Sequence, residues 1–370
     1  MLTLLNKLFK KIMKGWSWVL LIVSAIAVKW ISLFPSVVEK YYTGGLYPVI
    51  SKIQRILFGW IPFSIGDLFY GFLILVILVK TMQFIRAVVK KKLNRQYLLT
   101  GLKQVIFFFL FVYVFFYGLW GLNYSRKGIA HQLGLKVEKY SRHELDTLTT
   151  IIVERLNQYA ARVTDAQLDS FRKKKRLFTQ SHEAFKYAGV QYPFLKYSSR
   201  SLKPSLYSYL GNYLGFQGYY NPFTGEGQVN TTVPPFIEPF VACHEIGHQL
   251  GYARENEANF VAFLACRNYP SDVFRYSLYF DLYYYAVSEL YIIDSAAVPV
   301  YDKRLHPLVK KHQAEYVEFY KKYRNPVEPI ITAIYSQYLK ANNQPEGKRT
   351  YNRVIAWLVA YYKKYGAGAV

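Results

Sequence analysis

Residues 243–266 read CHEIGHQLGYARENEANFVAFLAC, and within them His244, Glu245 and His248 follow the spacing HExxH. Positions four apart share one face of a helix, so the two imidazoles can hold one metal ion with Glu245 beside them. The chemistry requires each residue type. Two neutral imidazoles bind Zn²⁺, an open coordination position keeps a water, and a neighbouring carboxylate takes that water's proton as it attacks a carbonyl. Pro239 suits the first turn of a helix, where its missing N–H would have had no partner, and Gly251 offers a stop, so a helix is expected from near Pro239 to Leu250. After a break at Tyr252 and Ala253, a second helical stretch opens at Glu255.

A third ligand must come from that second stretch, and two carboxylates compete for the role. From Glu255 the helix face runs through Ala258, Asn259, Ala262 and Cys266, small or polar residues that let two helices approach. From Glu257 it runs through Phe260, Val261 and Leu264, a packing face. The order Glu, two residues, Ala, Asn resembles the Glu-x-x-Ala-Asp/Asn segment of gluzincin peptidases. That resemblance implies Glu255 as ligand and Asn259 as the residue that orients a ligand imidazole. Glu257 is the rival ligand. The plain alternative is two solvated glutamates in a first turn, favoured there by the helix dipole. HEIGHQLG also begins like the metzincin pattern HExxHxxGxxH, but Arg254 stands where that pattern needs its third His, and guanidinium does not bind metal.

Four segments together carry a wider resemblance: GLWGLNYSRKGI (118–129), YLGFQGYYNPFTGEGQVN (213–230), the segment 243–266, and NNQPEGKRTYNRV (342–354). Over nearly its full length the chain resembles the bacterial membrane-anchored HExxH family catalogued as domain-of-unknown-function 3810. Membership implies a zincin- or gluzincin-like zinc metallopeptidase with three amino-terminal spans, and supplies no substrate.

Hydropathy points to the membrane independently. Three transmembrane helices are expected at about 16–36, 64–85 and 104–124, and the last of these has about twenty uncharged positions, enough for a hydrocarbon core of roughly 30 Å. Lys29 can snorkel from near the end of the first span. Asp67 is expected to cap the second. Lys7, Lys10, Lys11 and Lys14 precede the first span, and seven further Lys and Arg lie between 80 and 103, with no acid in either segment. Only Lys40, Lys52 and Arg55, offset by Glu39, lie between the first two spans. Eleven positive residues against three place the amino terminus in the cytoplasm and residues 125–370 outside it. A cleaved signal peptide is not expected, because no small-residue cleavage site follows a short apolar core.

Composition separates two unlike halves. Hydrophobic residues make up 52% of the 370 positions, yet mean hydropathy is only +0.03 because the second half is basic and rich in Tyr. Of the formal charge of +24, residues 124–370 carry 32 Lys and Arg against 21 Asp and Glu, a net +11. Beside a bilayer this favours anionic head groups; with no binding motif, nucleic acid is not an expected partner. Arg172–Arg176 (RKKKR) reads as a solvated helix face.

In the outer part, 141–163 opens with a Ser-x-x-Glu capping pattern and 165–189 is also expected to be helical. Between 207 and 233 glycines interrupt the chain. Residues 226–233 alternate like a strand, with Gln228, Val229 and Asn230 expected to form an edge that receives substrate. Tyr351, or alternatively Arg353, is a candidate to stabilise a tetrahedral oxyanion. His131, His143, His182, His306 and His312 have no ligand partner at helical spacing, and Cys243 and Cys266 are expected to be buried free thiols rather than a bridge.

The expected architecture is mainly α: a membrane domain (1–124) with three transmembrane helices, then an extracytoplasmic zincin-like α domain with a small β part (125–370). The expected location is the inner membrane, multi-pass, with the carboxy-terminal domain periplasmic. The expected function is hydrolysis of peptide bonds in cell-envelope peptides or proteins through a water activated by one Zn²⁺. His244, His248 and Glu255 would be ligands and Glu245 the general base. The alternatives are a catalytically silent zinc-binding envelope protein, a hydrolase of non-protein amides, and a metal-free membrane protein in which HEIGH is coincidental.

Overall fold

The computed structural model describes residues 15–370; Lys7, Lys10, Lys11 and Lys14, used in the charge count, lie outside the described residues. Helices of seven residues or more and the strands are numbered here in chain order. The chain is mainly helical. Two of its helices, α3 (Ile65–Val89) and α4 (Arg95–Leu119), are long and apolar enough to cross a membrane. There is a third if α1 (Gly15–Ile31) and Pro35–Gly59 together form one bent span. The seventeen residues of α1 extend about 25 Å at 1.5 Å per residue, at the lower limit of what can cross.

After α1 the chain turns through 98° at residues 32–34. It continues as a short turn (Pro35–Val37), a π-helical stretch (Val38–Leu46) and α2 (Tyr47–Gly59). Ser64 caps α3, its Oγ accepting from Asp67 N at 3.0 Å. Asp67 is therefore not the cap; its carboxylate accepts from Leu206 N (2.7 Å) and from the Tyr219 hydroxyl (2.5 Å), fixing the start of α3 to the carboxy-terminal half of the chain. Helix α4 ends at Leu119, before the expected limit of the span. Trp120 and the 3-10 turn Gly121–Ser125 that follow are buried, and the Trp120 indole N–H donates to His248 O.

Helix α5 (Arg142–Ala160) begins with a capping box between Ser141 and Glu144, as its Ser-x-x-Glu signal requires. The next expected helix is broken at Ser170–Arg172 and resumes as α6 (Lys174–Gln191). The RKKKR run is not wholly solvated, because Lys174 Nζ pairs with the buried Glu238 carboxylate at 2.9 Å. Burial pushes Glu238 up to about 7 against the opposing effect of Lys174.

Strand β1 (Leu202–Pro204), helix α7 (Ser208–Leu214), and strands β2 (Gly218–Asn221) and β3 (Glu226–Val229) follow. The sheet order is β1-β3-β2, with β1 parallel and β2 antiparallel to the central β3. Asn221 closes the β2–β3 turn, its Oδ1 accepting from the N–H groups of Phe223 and Thr224, and Gly225 takes φ +68°.

Helix α8 (Glu238–Gln249), which carries the HExxH residues, is buried on every side by α6, α9 (Glu255–Asn268), α10 (Asp272–Ile293) and the sheet. This is why its sequence carries no solvent-facing stripe. Helices α11 (Pro307–Tyr323), α12 (Glu328–Ala341) and α13 (Val354–Tyr365) complete the shell. Many of the recurring tyrosines of this half, Tyr276, Tyr279 and Tyr283 among them, are core residues.

Candidate metal centre

Helices α8 and α9 form a tight hairpin. At its corner Gly251 takes φ +85°, while Tyr252 N donates to Gly247 O (3.1 Å) and Gly251 N to His248 O (3.0 Å), satisfying the carbonyls at the helix end. Beyond the corner the helices press together at Gly247 and Ala258, where a Cβ on Gly247 would push on the Ala258 backbone. Small residues at this contact bring the start of α9 alongside the two histidines.

There the structure brings His244, His248 and Glu255 together, all buried, with one ligand atom from each lying within 4.8 Å of the others. His244 Nδ1 lies 2.7 Å from Asn259 Oδ1, and His248 Nδ1 donates to Tyr252 O at 2.8 Å. A backbone carbonyl only accepts, so the His248 tautomer is fixed with its Nε2 lone pair turned inward, and Asn259 does the same for His244. Glu255 Oε2 is 3.2 Å from His244 Nε2 and 3.4 Å from His248 Nε2, and has no hydrogen-bond donor of its own. Donors about 2.1 Å from a tetrahedral ion stand about 3.4 Å apart, so the donor set N, N, O fits zinc in both chemistry and spacing.

Electrostatics agree with a cationic occupant. Burial disfavours charge on all three groups, yet the Glu255 carboxylate raises His248 to about 9, and the two imidazoles hold Glu255 well below the usual carboxylate range. His244 is lowered by burial. The buried carboxylate thus favours positive charge beside it, which a metal ion held by the neutral imidazoles would supply in place of a proton.

Glu257 is turned away. It is fully buried against Gly128 and pairs with Arg254 Nη1 at 3.4 Å, so its packing face and its carboxylate both serve the fold.

Glu245 lies on the neighbouring face of α8, and its Oε2 is buried without a hydrogen-bond partner. Burial pushes it up to about 8. The sheet closes over it because two glycines permit the approach: a Cβ at Gly218 would collide with the Glu245 carboxylate, and one at Gly227 would crowd its Cβ.

Two expectations change here. Gln228, Val229 and Asn230 are not an edge, because β3 is central and paired on both sides. Gln228 bonds the Ser64 hydroxyl, Val229 is core, and the Asn230 amide spans Asn212 and Phe216 O. The edge beside Glu245 is β2. Arg353 pairs with Glu346 at an exposed position rather than facing the cluster. Tyr351 does reach it: its ring lies parallel to that of His244 (9°, centroids 6.1 Å apart), and its hydroxyl is 3.3 Å from that of Tyr335.

Residues that spacing did not single out complete the site. The Tyr335 hydroxyl donates to Glu255 Oε1 (2.7 Å), and Gln344 Oε1 accepts from Glu255 N (3.0 Å). Trp120 Nε1 donates to His248 O (3.1 Å). Gln344 lies in the NNQPEG turn, whereas nothing local distinguishes Tyr335 from Tyr338, the other tyrosine of α12.

The match to known families covers this whole assembly. A family model described as Protein of unknown function (DUF3810) matches residues 42–359. The chain belongs to that family. The DUF3810 match takes in α2, the two apolar helices, the metal helix and Tyr351, and it assigns no activity to them. No curated protein and no solved structure matches the chain.

The Asn259 contact has a measurable role. Asn259→Ala removes the acceptor that orients His244, and metal affinity in a chelator competition is expected to fall about 10- to 100-fold with the fold retained. Unchanged affinity would show that His244 needs no such support.

Proposed function

We propose that the protein is a membrane-anchored zinc metallopeptidase whose outer domain is a zincin-like shell around α8 and α9. The observation that carries this reading is the juxtaposition of a buried His-His-Glu set with an unpartnered, buried Glu245 one residue from a ligand. A bound zinc ion would polarise a carbonyl and lower the pKa of its water to about 7.

The chain's own residues do the rest. His244 and His248 present neutral Nε2 atoms because Asn259 and Tyr252 O hold their Nδ1 protons. Glu255 is kept in place by Tyr335 and Gln344. The ionised Glu245 carboxylate would accept the proton of the attacking water and pass it to the leaving amine, and burial raises its affinity for that proton. Tyr351, beside His244, donates its hydroxyl proton to the developing oxyanion. The β2 edge next to Glu245 receives an extended peptide as an added strand.

The test uses the full chain in lipid with a library of peptides. Cleavage that disappears with a chelator, returns with zinc and is absent from Glu245→Gln supports the reading; cleavage indifferent to chelation contradicts it.

On this reading α1, α3 and α4 are three spans, with the amino terminus cytoplasmic and the α5–α13 shell outside. Charge placement supports that orientation. A reporter active only outside the cytoplasm is expected to work when fused after Val370 and to fail near Lys91. Activity at Lys91 would invert the assignment.

A further inference from the structure

The segment from Pro35 to Gly59 is amphipathic with its faces reversed. Its buried face is polar: the Tyr47 hydroxyl donates to Gln249 O (2.9 Å), Ser51 Oγ to the same carbonyl (2.8 Å), and Gln54 Nε2 to Pro222 O (2.8 Å). Arg55 lies over the Tyr197 ring at 4.8 Å. The opposite face is apolar, with Leu46, Val49, Ile53, Ile56, Leu57 and Trp60 each more than half exposed. Their spacing of 3, 4, 3, 1 and 3 makes one stripe along a helix. A polar side turned inward and an apolar side turned outward is the wrong way round for a helix facing water, and so long an apolar stripe marks a binding surface.

The chain on either side says what covers it. The helix is bent 98° from α1, so if α1 runs along the membrane normal, α2 lies in the membrane plane. Helix α3 begins at Ile65, five residues after Trp60, and none of its apolar window is buried. The stripe therefore joins two surfaces that face lipid on the spanning reading, and it continues them without a break. Exposed Tyr41 and Trp60 stand toward the two ends, where amphipathic rings suit head-group level, and exposed Lys40 and Lys52 suit anionic head groups.

The orientation is locked to the metal centre. Lys203 Nζ, on β1, donates to Gly59 O (2.9 Å) and Ile61 O at the carboxyl end of α2. Glu226, on β3, accepts from Ile65 N (3.2 Å) and Gly66 N (2.6 Å) at the start of α3. Each charge is matched to the helix end that attracts it.

We propose that residues 35–60 form an interfacial helix whose apolar stripe is buried in the head-group and acyl boundary of the bilayer leaflet facing the outer domain. The inference rests on the reading of α3 and α4 as spans. Because Tyr47 and Ser51 bond the carbonyl end of α8, the metal centre sits about one helix diameter, roughly 10 Å, from the lipid boundary. Substrate bonds are then cleaved where they are presented at the membrane face.

Spin labels test this on the full chain in bilayers of phosphatidylethanolamine and phosphatidylglycerol. Val49→Cys, Ile53→Cys and Ile56→Cys place labels on the stripe, and the native thiols of Cys243 and Cys266 are buried. All three labels are expected to be relaxed by oxygen and shielded from a water-soluble agent, at a depth of roughly 5–10 Å. Leu75→Cys and Phe109→Cys, on exposed positions of α3 and α4, serve as depth references. Deep references with stripe labels open to the water-soluble agent overturn the interfacial helix alone. Stripe labels shielded from both agents, with spin–spin broadening, overturn it in favour of a second copy of this chain. References open to water overturn the spanning reading and this inference with it.

Discussion

Glu245→Gln is expected to keep its metal and lose its hydrolysis. The amide preserves shape and leaves His244, His248 and Glu255 untouched, but its oxygen is far too weak a base to take a proton from water. General base catalysis contributes a factor of roughly 10² to 10⁴, so turnover of any accepted peptide should fall by at least that range. The substitution should also be mild for the fold, because burial already penalises a charged Glu245 and an amide carries no charge to bury. Where deletion of the gene has a phenotype, complementation needs no substrate: wild type should rescue it and Glu245→Gln should not. Full rescue with metal retained would leave a zinc-binding envelope protein as the better account.

Glu255→Ala and Glu257→Ala are expected to fail in different ways, although the two residues are one position from being neighbours. Glu255 Oε2 faces both imidazole nitrogens, so its loss removes a ligand and should lower metal occupancy in a chelator titration. Glu257 is fully buried and faces Arg254, whose side chain is 25% exposed. Its loss empties buried space and removes the carboxylate from the pair, so Glu257→Ala should lower the melting temperature while the remaining folded protein keeps its metal affinity. Equal affinity losses in the two variants, or a larger loss at 257, would reverse the ligand assignment.

Much of the site was legible because local rules dictate it. HExxH spacing fixes two imidazoles on one helix face, Gly251 permits the corner, and Ala258 and Ala262 mark the side of α9 that approaches α8. The central position of β3 was not legible: β1 pairs with it from more than twenty residues upstream, and a strand of three residues leaves no periodic signal. Tyr335 and Trp120 were equally hidden, since both reach the cluster through tertiary folding from segments that read as apolar helix or its end.

The membrane half shows the same division. Apolar length marked the helices α3 and α4 plainly. It did not reveal that residues 35–60, which carry Lys40, Lys52, Arg55 and Glu39, form a helix rather than a loop between spans. Tyr47, Ser51, Gln54 and Arg55 are turned into the protein while Lys40 and Lys52 stay exposed, so a count of charge reads the segment as water-facing although its geometry exposes the apolar stripe.

Metal content of the full chain tests the central claim most directly. Elemental analysis of protein purified in zinc-replete buffer is expected to give one zinc ion per chain for wild type and for Glu245→Gln, and none for the double variant His244→Ala, His248→Ala. Equal metal content in wild type and the double variant, or no metal in a folded wild-type protein, would contradict the assignment of His244, His248 and Glu255 as a metal centre.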